Sequence, residues 1–193
     1  MIKSTETIKI YFATIPAHKF LHIKNYESNG YWDFWQKQSA IQGQDCDTIC
    51  GLLDSIKGKL DDVGNGNGQI MAYIYDSNGR EIECYLGNAP RAECYGVRLA
   101  SDYNGEIPPQ MLMMDVPEDE YIVFEHGPFD YEQENHSVEE KMAEAITNFD
   151  FEGTGYCFDT IPGRLTYLFH DPIQFWKYAM PVRKSVKEER VVR

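Results

Sequence analysis

The sequence predicts an α+β fold made of two similar units in tandem, each a strand, a helical segment and a hairpin, and three stretches carry that reading. The first is Tyr121-Ile-Val-Phe-Glu125, rich in β-branched and aromatic residues and stopped by His126-Gly127-Pro128, which is the composition of a β-strand. Alternation sends Ile122 and Phe124 to one face and Tyr121, Val123 and Glu125 to the other, an aromatic face with a carboxylate. The second is Ile15-Pro16-Ala17-His18-Lys19-Phe20-Leu21-His22-Ile23-Lys24, which lies over Val116 to Glu125 without a gap. The third is Gly68 to Asp76, which matches Gly163 to Asp171 in residue class at most positions and in the same order along the chain.

Taken in order, residues 6–27 form an extended segment that turns at Ile15-Pro16, its second half alternating His18, Phe20 and His22 against Lys19, Leu21 and Ile23. A helix follows, capped by Ser28 or Asn29, with Trp32 and Trp35 on one face at i, i+3 spacing. Asp45 or Asp47 caps a second helix, whose apolar positions Cys46, Ile49, Cys50, Leu53, Ile56 and Leu60 keep helical spacing. Strands over 69–75 and 81–86, joined by the turn Asp76-Ser-Asn-Gly79, make a hairpin. Residues 92–100 give another strand, with Glu93, Tyr95, Val97 and Leu99 on one side; Glu83-Cys84-Tyr85 and Glu93-Cys94-Tyr95 each set a carboxylate and a phenol on a shared face. The loop 101–109 joins the halves. In the second half, Ser137-Val-Glu-Glu140 fits a capping box that starts a helix with the buried stripe Val138, Met142, Ala145, Ile146 and Phe149. Strands over 156–160, 164–170 and 174–182 finish the chain.

The chain of 193 residues, 42% hydrophobic and 13% aromatic, has ample material for a packed core. Its formal net charge of -13 argues against direct nucleic-acid binding, which needs clustered Lys and Arg to neutralise phosphates. No apolar run is long enough to cross a bilayer, and MIKSTETIKIYF lacks the hydrophobic core of a signal peptide, so the expected location is the cytoplasm. The five cysteines form no CxxC pair, so neither structural zinc nor a disulfide is expected. No GxGxxG, GK[ST], GxSxG or HExxH motif occurs, so no cofactor and no catalytic residue is assigned.

These pieces together, with VPEDEYIVFEHGPFD and the strand-ending Met180-Pro181-Val182 as markers, resemble the GyrI-like effector-binding domain of AraC- and MerR-type regulators, related to the SOUL family. The resemblance implies duplicated βαββ units with pseudo-twofold symmetry, a concave antiparallel sheet, helices on its outer face and a ligand cleft where the units meet. It implies a single effector-binding domain over 1–193, with repeats at about 6–100 and 101–182 and a tail at 183–193. Cation binders of that family carry Glu-x-Tyr where this chain has Leu165-Thr166-Tyr167, so the central acid is missing.

The expected function is binding of a flat, lipophilic, cationic xenobiotic by a bacterial sensor or sequestering protein linked to transcription regulation. The residues expected to line the cleft are Phe20, Trp32, Trp35, Glu93, Tyr95, Tyr121, Glu125, Phe129, Tyr167, Phe169, Trp176 and Tyr178, with Glu93 or Glu125 as the counter-charge. Two alternatives stay open: hydrolysis of reactive xenobiotics in the same cleft, and acidic protein–protein interaction of the gyrase-inhibitor type.

Overall fold

A computed structural model describes residues 8–62, 67–81, 85–128, 131–170 and 176–186. The first half contributes β1 (Lys9–Ile15), β2 (His18–Asn25), α1 (Tyr31–Gln38), α2 (Cys46–Ser55), β3 (Gln69–Arg80) and β4 (Arg91–Ala100). The second contributes β5 (Leu112–Val116), β6 (Asp119–His126), α3 (Tyr131–Thr147), β7 (Tyr156–Phe158), β8 (Leu165–His170) and β9 (Trp176–Lys184). The strands form one curled antiparallel sheet in the order β1-β6-β9-β8-β3-β4-β2-β5, with β7 paired to β9 beside it.

That order is symmetric. Exchanging β1 with β5, β2 with β6, β3 with β8 and β4 with β9 reverses the list onto itself. The registers agree: Ala13 faces Tyr121 across β1 and β6, as Met114 faces Phe20 across β5 and β2. Ala72 faces Tyr167 where β3 meets β8, and these two residues are equivalent in the sequence superposition, so the pseudo-twofold axis passes through their pairing. The arms are exchanged, because β1 of the first half pairs with β6 of the second and β5 of the second pairs with β2 of the first.

Alternation sorts the side chains into three cores. Leu21, Ile23, Tyr95, Val97 and Leu99 pack beneath Phe34 and Trp35 of α1 and Ile49 and Leu53 of α2. Ile122, Phe124, Tyr178, Met180 and Val182 pack beneath Val138, Met142 and Ile146 of α3. The third cluster, including Phe20, Ile70, Ala72, Tyr121, Leu165, Tyr167 and Ala179, is drawn from strands alone. Full burial of one large apolar side chain is worth about 1.5–3 kcal/mol, so both faces of the sheet stabilise the fold.

Three local expectations are corrected. Gly30, rather than Ser28 or Asn29, is the N-cap of α1, while Asp45 caps α2 by accepting from Thr48 N–H at 3.0 Å. Asp76 to Gly79 is no hairpin turn: β3 runs on to Arg80 with a bulge after Tyr75 and pairs with β4, while Tyr85 and Leu86 lie in a turn. Glu83 and Cys84 fall outside the described residues. The third helix starts at Tyr131, and Ser137 sits within it with its hydroxyl donating to the Glu134 carbonyl. The apolar run before Pro117 is itself a strand, β5, on the sheet edge.

Candidate functional site

The helix-free, concave face gathers the candidate residues because every strand presents its matching parity there. Tyr167 on β8 sits at its centre, fully buried, with Phe20 edge-on at 5.6 Å, Tyr121 tilted at 6.3 Å and Phe169 at 5.8 Å between ring centroids. Burial is the largest cause raising the phenols of Tyr121, to about 12, and of Tyr167, so both remain protonated at neutral pH.

The Tyr167 hydroxyl lies 2.6 Å from His18 Nε2, while His18 Nδ1 lies 2.8 Å from the Pro16 carbonyl. A carbonyl only accepts, so Nδ1 carries the proton and Nε2 accepts from the phenol. Burial lowers the His18 pKa, which keeps the ring neutral in that tautomer. Beside it, Arg98 of β4 faces Phe20 in register and sets its guanidinium 5.4 Å from the Tyr167 ring and 5.0 Å from the Phe169 ring. Two nearly parallel bonds, Nε to Asp61 Oδ2 at 2.8 Å and Nη2 to Oδ1 at 2.7 Å, tie it to the segment after α2. Burial opposes that charge, yet the Asp61 carboxylate more than offsets it and holds Arg98 above its usual value.

Glu125 occupies the same face toward the β1 edge. It accepts from the Tyr11 hydroxyl at 2.8 Å and pairs with Lys177 at 3.2 Å and Lys9 at 3.9 Å. Burial and the bond to Glu125 push the Tyr11 phenol up to about 12. At the other end of β6, Arg164 bonds Asp119 and pairs with Asp159 at 3.0 Å.

Five of the expected residues, Phe20, Tyr121, Glu125, Tyr167 and Phe169, therefore share the concave face. Among the described residues, the other expected ones do not join them. Glu93 and Tyr95 point to the helix side, where the Glu93 carboxylate accepts from Gly30 N–H and the Ser28 hydroxyl, both at 2.6 Å. Tyr95 meets Trp35 edge-on at 4.9 Å in the same core, and its hydroxyl donates to Gln69. Tyr178 and Trp176 pack with the core beneath α3. Trp32 is 83% exposed on the outer surface of α1. Phe129 falls outside the described residues. Sequence reasoning missed His18, Asp61 and Arg98; the apolar Val97 and Leu99 marked the other side of their strand as the helix-covered core, which left Cys94, Gly96 and Arg98 for the concave face.

A separate recess of about 520 Å³ lies outside the sheet, between the end of α2 and the connector, lined by Leu52, Ile56, Tyr103, Pro108 and Pro109 among others. Among the described residues no group of His, Cys, Asp and Glu is placed to hold a metal ion, and no helix is long and apolar enough to cross a membrane.

No family model and no curated relative matches the sequence. Solved structures do match it. SAV2435 bound to tetraphenylphosphonium is 15% identical over 91% of this chain and 94% of its own, with a TM-score of 0.50. A hydrolase from Listeria innocua is 15% identical over 93% of this chain and 94% of its own, with a TM-score of 0.45. EcmrR, in a complex with DNA, is 10% identical over 92% of this chain, with a TM-score of 0.45; this chain spans 58% of its length. With its paired units, concave sheet and outer helices, the chain has the fold of a GyrI-like effector-binding domain.

Proposed function

We propose that this chain binds a lipophilic small molecule on its concave sheet face and acts as a sensor or sequestering protein linked to transcription regulation. One observation carries the reading: Phe20, Tyr121, Tyr167 and Phe169 converge at the pseudo-twofold axis, on the face that no helix core uses. Aromatic walls with a few fixed polar groups suit a small organic ligand. The SAV2435 structure with bound tetraphenylphosphonium supports the lipophilic character of the ligand and leaves its charge open for this chain.

The test is a thermal-shift screen of lipophilic anions, neutral aromatics and cations, followed by calorimetry. A ligand that binds only the folded state at a hundred times its Kd adds about 2.7 kcal/mol of stability. Phe169→Leu is expected to weaken any hit at least about fivefold, or roughly 1 kcal/mol, which is the worth of one aromatic contact. Ligand affinity unmoved by Phe169→Leu and Tyr167→Phe together places binding elsewhere. A second reading, hydrolysis of a reactive lipophilic substrate, draws on the His18–Tyr167 bond, because the neutral imidazole is a base held ready by Pro16. Product formation by wild type that His18→Gln abolishes would select it.

A further inference from the structure

Resting on that binding reading, we infer that Arg98 is the cleft's own cation and sets the charge of the ligand: the face accepts anionic aromatic molecules and turns lipophilic cations away until Arg98 is removed. The rings of Tyr167 and Phe169, which the sequence offers to an external cation, already carry the Arg98 guanidinium at 5.4 and 5.0 Å. A ring face polarised by one cation has little left to attract a second, and like charges in a partly desolvated space repel.

Displacing Arg98 is costly, because the pair is fixed from both sides. The Asp61 segment is pinned to β4 by the Leu60 N–H bond to the Arg98 carbonyl at 2.9 Å and by a bridge between Lys59 and Leu99. A phosphonium or quaternary ammonium ion has no N–H to replace the two bonds that Asp61 would lose. The other charges on the face reinforce the assignment. Glu125, the remaining acid of the two expected as counter-charge, is held by Tyr11, Lys177 and Lys9. Arg164 is matched by Asp119 and Asp159, and His18 is committed to Pro16 and Tyr167. An anionic aromatic ligand meets the guanidinium edge by sharing it with Asp61 and needs no ion pair broken.

The experiment compares two ions of one shape and opposite charge, tetraphenylphosphonium and tetraphenylborate, titrated calorimetrically into the full chain in sodium buffer. Wild type is expected to bind the borate at least about tenfold more tightly. Arg98→Met combined with Asp61→Asn, which keeps the net charge, is expected to shift the ratio at least about tenfold toward the phosphonium. Asp61→Asn alone keeps every apolar contact and leaves Arg98 unmatched, so it should tighten the borate further; it carries the test if the double variant does not fold. Phosphonium binding as tight as borate binding to wild type overturns the inference, as does a ratio that neither variant moves. If neither ion binds any of these proteins, the binding reading itself fails and the inference with it.

Discussion

The imidazole of His22 lies flat on Phe20, 4.8 Å between ring centroids, and burial holds its pKa down to about 4, with the Phe20 carbonyl pulling the other way. His18, on the same face of β2, is lowered for the same reason. In the unfolded chain both rings protonate near 6.5, so the folded state binds fewer protons between that value and its own lowered pKa. Stability from these groups is therefore complete above about 6.5 and is lost as the pH falls below it. For His22 alone the loss between pH 7 and pH 5 is expected to be about 2 kcal/mol, and His22→Gln should flatten denaturant-derived stability over that window. Glycine also acts at single positions. A Cβ on Gly96 would lie 2.0 Å from the Leu21 carbonyl oxygen, so Gly96→Ala is expected to force β2 from β4 and to lower the Tm by several degrees or prevent folding. The alternation of His18, Phe20 and His22 was legible from spacing alone. The partner of Tyr167 was not, since His18 lies 149 residues away in sequence.

At the scale of elements, Glu93 shows how a strand residue completes a helix. Its buried carboxylate reaches from β4 to the start of α1, where Gly30 N–H and the Ser28 hydroxyl would otherwise lack an acceptor. Glu93→Ala is expected to cost about 1–3 kcal/mol in denaturant unfolding, through a buried N–H left without its acceptor. Ser28→Ala, which removes one donor and spares the other, should cost less. The sequence placed Glu93 and Tyr95 correctly on one side of their strand and assigned that side to the wrong environment. Period-two spacing separates the two faces of a strand, but only packing of α1 and α2 over Val97 and Leu99 says which is covered. The misread hairpin has a related cause. Asp76-Ser-Asn-Gly79 has turn composition, yet here it is a bulge in which Gly79 passes so close to the Arg91 backbone that a Cβ would meet it at 2.5 Å.

Across the whole molecule, the exchange of β1 and β5 makes each half complete only in the presence of the other. The first half's β2 is flanked by β5 of the second, and the second half's β6 by β1 of the first. Calorimetric unfolding is therefore expected to be one transition with van't Hoff and calorimetric enthalpies equal, and a chain cut between Ala100 and Leu112 should not yield two independently folded pieces. Two resolved transitions would show that the halves fold separately. By itself the sequence determined the fold class, the matching of like segments and which residues of each strand share a side, because those follow from local periodicity and from a repeat that can be read along one line. Only the tertiary structure decided what fills that face. Arg98 and Asp61 stand 37 residues apart and meet through a loop, and their position over Tyr167 depends on β3 and β8 joining the halves at the axis. Charge on the cleft is thus a property of which distant strands become neighbours, and no local pattern encodes it.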